Sequence, residues 1–333
     1  MPSRSPAGRR YCRVLGTITR TRIAHVLALA LVAGASSAQA AKLAPGPPAA
    51  RPATLGSATA DSVTRAILKD RADTEEWLRT SPNSYLATVQ RQDFGEKTAL
   101  TVGRTADNDV RIDDPTVELH HLRVTVAGDS FHVESLDAAA RFRVKDADLS
   151  EATLGPSSIG VGRFVLRLSH QRFPAIIVFD PQSPRFKSYK GLKWFPVDLS
   201  YRYELPLTPS PRPDTLIIMS TRGNPRRAAR VGWFDFVVRG RRCRLEATRL
   251  LEPGVGESDF GIFFRDATTG KETYPVGRYV DPQPLRDGRF VLDFNSAYNP
   301  ACAISEHYNC PIPPKSNTLP VAIRAGEMNA HYH

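Results

Sequence analysis

The chain has 333 residues, 45 Lys and Arg against 34 Asp and Glu, and a formal net charge of +11. Hydrophobic residues make up 41%, enough to bury a sizeable core, so a wholly disordered chain is excluded. Four cysteines in this length exclude a small disulfide scaffold, and past the N-terminal region no run approaches the roughly 18 apolar residues of a membrane-spanning helix.

Residues 1–22 carry Arg4, Arg9, Arg10, Arg13, Arg20 and Arg22 and no acid. Residues 23–35 are apolar apart from His25, and Ala38-Gln39-Ala40 follows shortly after. A basic region, a short apolar region and an Ala-x-Ala site are the parts of a secretory signal peptide. Cleavage is expected after Ala40, giving a periplasmic or secreted mature chain. Losing residues 1–40 removes six arginines and Cys12, which lowers the net charge to +5 and leaves Cys243, Cys302 and Cys310.

Residues 41–60 hold four prolines among small residues and read as a flexible linker. A helix is expected over 61–80, capped by Asp61 or Ser62, with Val63, Ile67, Leu68, Trp77 and Leu78 as its apolar stripe. From Leu86 the texture changes to short alternating strands, among them 100–104, 109–113, 121–127 and 130–136. Gly128-Asp129 joins the last two as a tight hairpin. Strands are also expected at 161–168 and 174–179, and again through the second half, with no helix of normal length after residue 80. The fold class is mainly β: an N-terminal helix, a β-sandwich over 81–172, and a second antiparallel β domain over 173–333.

Gly103-Arg104, Asn108-Asp109, Asp113-Asp114-Pro115 and Glu118-Leu119-His120-His121 resemble the forkhead-associated (FHA) pattern. In that family an Arg and a Ser hold a phosphothreonine and a His buttresses the loop. Arg104 and His121 match, whereas Glu118 takes the Ser position, where its carboxylate repels phosphate. The later Asn-Gly segment is replaced by residues 134–146. The resemblance implies an FHA-type sandwich over about residues 85–170 and argues against phosphothreonine binding. Segments 191–203, 260–280 and 289–327 closely resemble the prokaryotic domain-of-unknown-function family 1684. That likeness extends back through Trp77 and residues 81–94, so it covers about 62–328. It implies a sandwich-like part followed by a C-terminal β part, and no established reaction.

Within the second half, Asp266, Thr268 and Gly270 follow an apolar strand and read as a polar turn, with Gly270 supplying a positive φ. One reading joins Asp266, Thr268, Tyr274, Arg278, Asp293, Asn295, Tyr298 and Asn299 into a ligand pocket in which Arg278 engages an anion. The other makes Asp266, Arg278 and Asp293 a buried ion network that ties loops together. Seven residues separate Cys302 from Cys310, ample reach for a disulfide in an oxidising compartment, while Cys243 alternates with Leu245 and Ala247 as a core thiol. Their spacing with His307 matches no standard zinc site, so no metal and no cofactor is expected.

Residues 222–249 hold nine arginines against Asp235 and Glu246. Alternation with Cys243 and Leu245 reads as the solvated face of a hairpin turning at Arg239-Gly240-Arg241, with Arg226, Arg227, Arg230, Arg241, Arg242 and Arg244 as a basic face. Export argues against nucleic acid and leaves peripheral contact with an anionic membrane surface. The functional expectation is an exported binder of an anionic small molecule or envelope polymer. A hydrolase using the polar C-terminal site and a purely structural interaction module are the alternatives.

Overall fold

A computed structural model of the chain describes residues 49–330 except Pro213. The signal segment expected over 1–40, Cys12, and the terminal His331 and His333 lie outside the described residues.

Helix α1 (Ser57–Thr80) starts ahead of the expected cap, behind an extended Gly56 with no side-chain cap. Its buried stripe is Ile67, Arg71, Thr74 and Leu78, whereas Leu68 is exposed. Counting apolar residues alone misses this face because half of it is polar. Arg71 donates through Nη1 to the carbonyl of Phe195 (2.9 Å) and through Nη2 to that of Asn295 (3.2 Å), and it lies 4.8 Å from the Trp194 ring centroid. The helix is therefore pinned to the C-terminal half of the chain. The expected spacer is partly laid into the fold as well: Ala50 donates to Asp235 O at 3.0 Å and accepts from Val237 N at 2.8 Å.

Eleven strands form the sandwich: β1 (Thr88–Asp93), β2 (Ala99–Gly103), β3 (Val110–Arg111), β4 (Leu122–Ala127), β5 (Ser130–Ser135), β6 (Phe142–Val144), β7 (Ala147–Leu149), β8 (Glu151–Leu154), β9 (Ser157–Val161), β10 (Phe164–His170) and β11 (Pro174–Phe179). One sheet runs β1-β11-β10-β9-β6-β7 and the other β3-β2-β4-β5-β8. The β4–β5 hairpin turns at Gly128 (φ 60°). Alternating residues such as Leu100, Val102, Val124, Phe131, Leu166 and Val178 fill the space between the sheets. The sandwich ends at Phe179, beyond the expected boundary at 172, because β11 pairs with both β1 and β10 and completes the sheet.

The second module comprises β12 (Arg202–Leu205), β13 (Thr208–Pro209), β14 (Thr215–Met219), β15 (Pro225–Val238), β16 (Arg241–Leu250), β17 (Ile262–Phe264), β18 (Arg278–Val280), β19 (Gln283–Pro284) and β20 (Phe290–Asp293). Its core gathers Tyr203, Phe234, Phe236, Cys243, Leu245, Phe264 and Phe294. The long β15–β16 ribbon carries a register shift between Arg230 and Gly232. An extra residue there turns the strand, so even-numbered residues face the module core after the shift and the opposite side before it. Arg226 consequently does not belong to the solvated basic face. It is buried against Glu252, with Nε at 2.6 Å and Nη2 at 2.7 Å from the carboxylate. Arg230 is half-buried on Glu246 and Asp214. Glu246 is itself buried, its main chain paired with the Asn317 side chain. Arg227, Arg239, Arg241, Arg242 and Arg244 are exposed, and Arg244 pairs with Asp235 at 2.7 Å.

A third apolar cluster joins the parts. Leu78 of α1, Leu86, and Ile177 and Phe179 on the outer face of the six-stranded sheet pack against Cys302, Ile304, Tyr308 and Cys310. Thr88 Oγ1 and Ser305 Oγ meet across this seam at 2.5 Å.

Candidate functional site

The eight polar residues expected to form a pocket resolve into several tied loops. Asp266 Oδ1 accepts from the Thr268 amide (2.6 Å) and hydroxyl (2.5 Å), and Thr268 Oγ1 lies 3.0 Å from Thr273 Oγ1. Gly270 has φ 77° in the same turn. Arg278 is fully buried, and its Nη2 donates to Asp266 Oδ2 at 2.7 Å and to Ile323 O at 2.8 Å. Its Nη1 reaches the carbonyls of Ala325 and Glu327. Burial lowers the pKa of this guanidinium, and the Asp266 charge works against that. Asp293 and Asn295 belong to a second network: Asn295 exchanges hydrogen bonds with the Asp198 main chain at 2.9 and 2.8 Å, and Asp293 Oδ1 accepts from Asn295. The Asn299 amide donates to Glu327 Oε2 at 2.9 Å, its side chain to Met328 O at 2.9 Å. Tyr274 donates to Cys302 O at 3.3 Å, and burial raises its pKa.

Tyr298 is the member of the eight that lines the main cavity, with its hydroxyl 3.2 Å from Asp281. This cavity, about 590 Å³, lies between the two modules. Its floor comes from the outer face of the six-stranded sheet. Arg167 on β10 and Arg91 on β1 both pair with Ile177 on β11, so the three side chains lie in one row on one face. Thr248 and Leu250 of β16, Arg226 of β15, the Phe260 segment and the loop containing Asn309 supply the opposite wall.

The cations of the cleft differ in their partners. Arg91 binds Asp93 at 2.7 Å, and Arg226 is held bidentately by Glu252. Burial alone would raise the pKa of Asp93, but the hydrogen bond from Arg91 and the charges of Arg91 and Arg222 lower it overall. Arg167 makes no ion pair among the described residues; its guanidinium lies 4.9 Å from the Phe179 ring centroid and its buried Nε has no hydrogen-bond partner. His170 Nε2 meets Gly128 O at 2.9 Å, leaving buried Nδ1 unmet. Thr248 Oγ1, Gln171 Oε1 and both side-chain polar atoms of Asn309 are likewise buried and unmet. Sequence alternation marks Arg167 as an outward-facing residue and says nothing of the module that covers it.

No disulfide joins Cys302 to Cys310 in this structure, and the Cys302 amide lies 3.4 Å from Cys310 Sγ. The hydrogen bond between the thiols lowers the Cys302 pKa and, with burial, pushes Cys310 well above the usual thiol value. At the FHA-type loops, the Arg104 amide donates to Glu118 O at 3.0 Å. His121 accepts from the Glu118 amide at Nδ1 (3.0 Å) and meets Arg141 O through Nε2 (2.8 Å). This is the buttressing geometry that the motif implies, with the half-buried Glu118 in the position of the Ser.

Fold and site together define a two-module β protein, an FHA-like sandwich joined to an antiparallel domain across a ligand-sized cleft. The chain belongs to the family described as protein of unknown function DUF1684, matched over residues 187–328, and residues 100–158 match the FHA domain. It is similar to an uncharacterized protein of Haloarcula marismortui at 35% identity, covering 46% of this chain and 85% of that one, with a TM-score of 0.36. It also resembles the FHA-2 domain of a Mycobacterium tuberculosis ABC transporter (20% identity, 22% of this chain, 68% of that one, TM-score 0.20). A further likeness is to the FhaA FHA domain complexed with the intracellular domain of another protein (20% identity, 26% and 96% covered, TM-score 0.19). No curated protein matches.

The Asp266–Arg278 pair carries a stability prediction. Arg278→Ala strands a buried carboxylate and is expected to cost about 3–5 kcal/mol in urea unfolding, whereas a loss below about 1 kcal/mol would make the pair equivalent to a surface ion pair.

Proposed function

We propose that this is an exported, non-enzymatic binding protein that holds a small molecule bearing an anionic group in the cleft between its modules. The observation that carries this reading is Arg167, a half-buried cation on the cleft floor whose neighbours Arg91 and Arg226 have carboxylate partners while it has none among the described residues. A planar guanidinium so placed suits a carboxylate, phosphate or sulfonate. The cavity volume and its aromatic walls suit a ligand of drug-like size. In a thermal-shift screen of carboxylates, phosphate esters and sulfonates, at least one class should raise the melting temperature of the wild type. Arg167→Ala should weaken that ligand by about 10- to 100-fold, the worth of a charge-assisted hydrogen bond. No shift with any class, or an equal shift in the variant, contradicts the proposal.

Export is supported by the arginine-rich start, the apolar run and the Ala-x-Ala site, and an oxidising destination would join Cys302 to Cys310 by loss of two protons and two electrons to a disulfide-donating oxidase. The Cys302 amide lies 3.4 Å from Cys310 Sγ, so the two residues are already neighbours. Protein recovered from outside the cytoplasm should begin at Ala41 and, unfolded without reductant, show one reactive thiol. An intact Met1 counts against export, and three reactive thiols count against the bridge.

A further inference from the structure

The cleft offers more than an anion uses. Asn309 is only 3% exposed, and neither its Oδ1 nor its Nδ2 has a partner among the described residues. Burying both ends of a primary amide unmet is costly, so a ligand that meets both recovers that cost. The complement of a donor and an acceptor on one planar amide is another amide, and a peptide group presents one C=O and one N–H. Thr248, 2% exposed on the same wall, adds an unmet hydroxyl that can donate or accept.

The charges point the same way. Arg167 stands on the sandwich floor, and Asp259 lines the opposite wall from the loop between β16 and β17. One oxygen of Asp259 accepts the Gly256 amide at 2.9 Å, and the residue makes no ion pair among the described residues, with Arg167 or otherwise. Opposite charges on facing walls, each without an ionic partner, fit a ligand that carries both signs. Between them Phe260, Phe263, Tyr279 and Tyr298 supply apolar surface. The Phe263–Tyr279 and Tyr279–Tyr298 ring pairs, at centroid distances of 4.6 and 5.8 Å, brace each other into a wall.

Resting on the anion reading above, we infer that the ligand is a short apolar peptide with free termini. Its α-carboxylate meets Arg167, its α-ammonium meets Asp259, a peptide group meets the Asn309 amide, and its side chains pack on the aromatic wall. A simple carboxylate leaves Asp259 and Asn309 unserved, and a phosphate diester supplies no cation.

Isothermal titration of the full chain with trileucine, N-acetyl-trileucine and trileucine amide separates the terms. Trileucine should bind, and blocking either terminus should weaken it by about tenfold or more. In Asp259→Asn the acetyl penalty should vanish while the amide penalty remains; Arg167→Gln should give the reverse. Asn309→Leu should weaken all three peptides alike, its melting temperature confirming that it folds. Equal affinity for trileucine and its acetylated form overturns the peptide inference and leaves the anion reading standing. So does failure of trileucine to bind a chain that binds simple anions through Arg167. Equal affinity for the amide overturns both.

Discussion

The burial of Arg226 against Glu252 is the constraint on which the cleft depends. Guanidinium and carboxylate side chains are 2% and 1% exposed, and the third nitrogen of the arginine donates to Asn309 O at 2.8 Å. Two charges withdrawn from water are tolerated only when their hydrogen-bonding capacity is met, and removing one partner typically costs about 3–5 kcal/mol. Here the bidentate contact also fixes a backbone carbonyl, and with it the loop that carries Tyr308, Asn309 and Cys310. One side of that loop closes the seam against Leu78, Tyr85 and Ile177, and the other forms a wall of the cavity.

The same strand serves two environments. Before the register shift β15 faces the inter-module side with Arg226 and Ala228; after it, Phe234 and Phe236 fill the core of the second module. The sandwich contributes two faces in the same manner, Leu166 and Val178 inward, Arg167 and Ile177 outward. A cleft results where the outward face of the six-stranded sheet and the outer face of the β15–β16 ribbon approach without full interdigitation. The Asp266–Arg278 and Asp293–Asn295–Asp198 networks act at one remove, holding the loops that end in Tyr298.

Much of the architecture is legible in the sequence because sandwich strands alternate strictly: Leu122 and Val124, Phe131 and Val133 read directly as an inward face. His121 and Gly103 are legible through their motif, since the first must bridge two loops and a Cβ on the second would strike Leu119 O. What escapes is whatever depends on a neighbour distant in the chain. Arg226 looks solvated because alternation cannot reveal a bulge. The face of α1 is hidden because Arg71 and Thr74 do the work of apolar residues. Arg167 and Asn309 carry no local mark of the cleft, as 141 residues of chain separate them and only packing of the modules brings them to one cavity. The Asp266–Arg278 pairing, by contrast, is visible as opposite charges flanking a turn, but not its enclosure by the carbonyls of Ile323 and Ala325.

Whether the buried Arg226–Glu252 pair holds the Asn309 wall of the cleft is read out by amide hydrogen exchange on the wild type and Glu252→Ala. Protection at residues 308–310 should fall sharply in the variant, together with that of Ile177 on the facing sheet, while Val124 and Val133 deep in the sandwich stay protected. Unchanged protection at 308–310 would show that the loop stands without the ion pair.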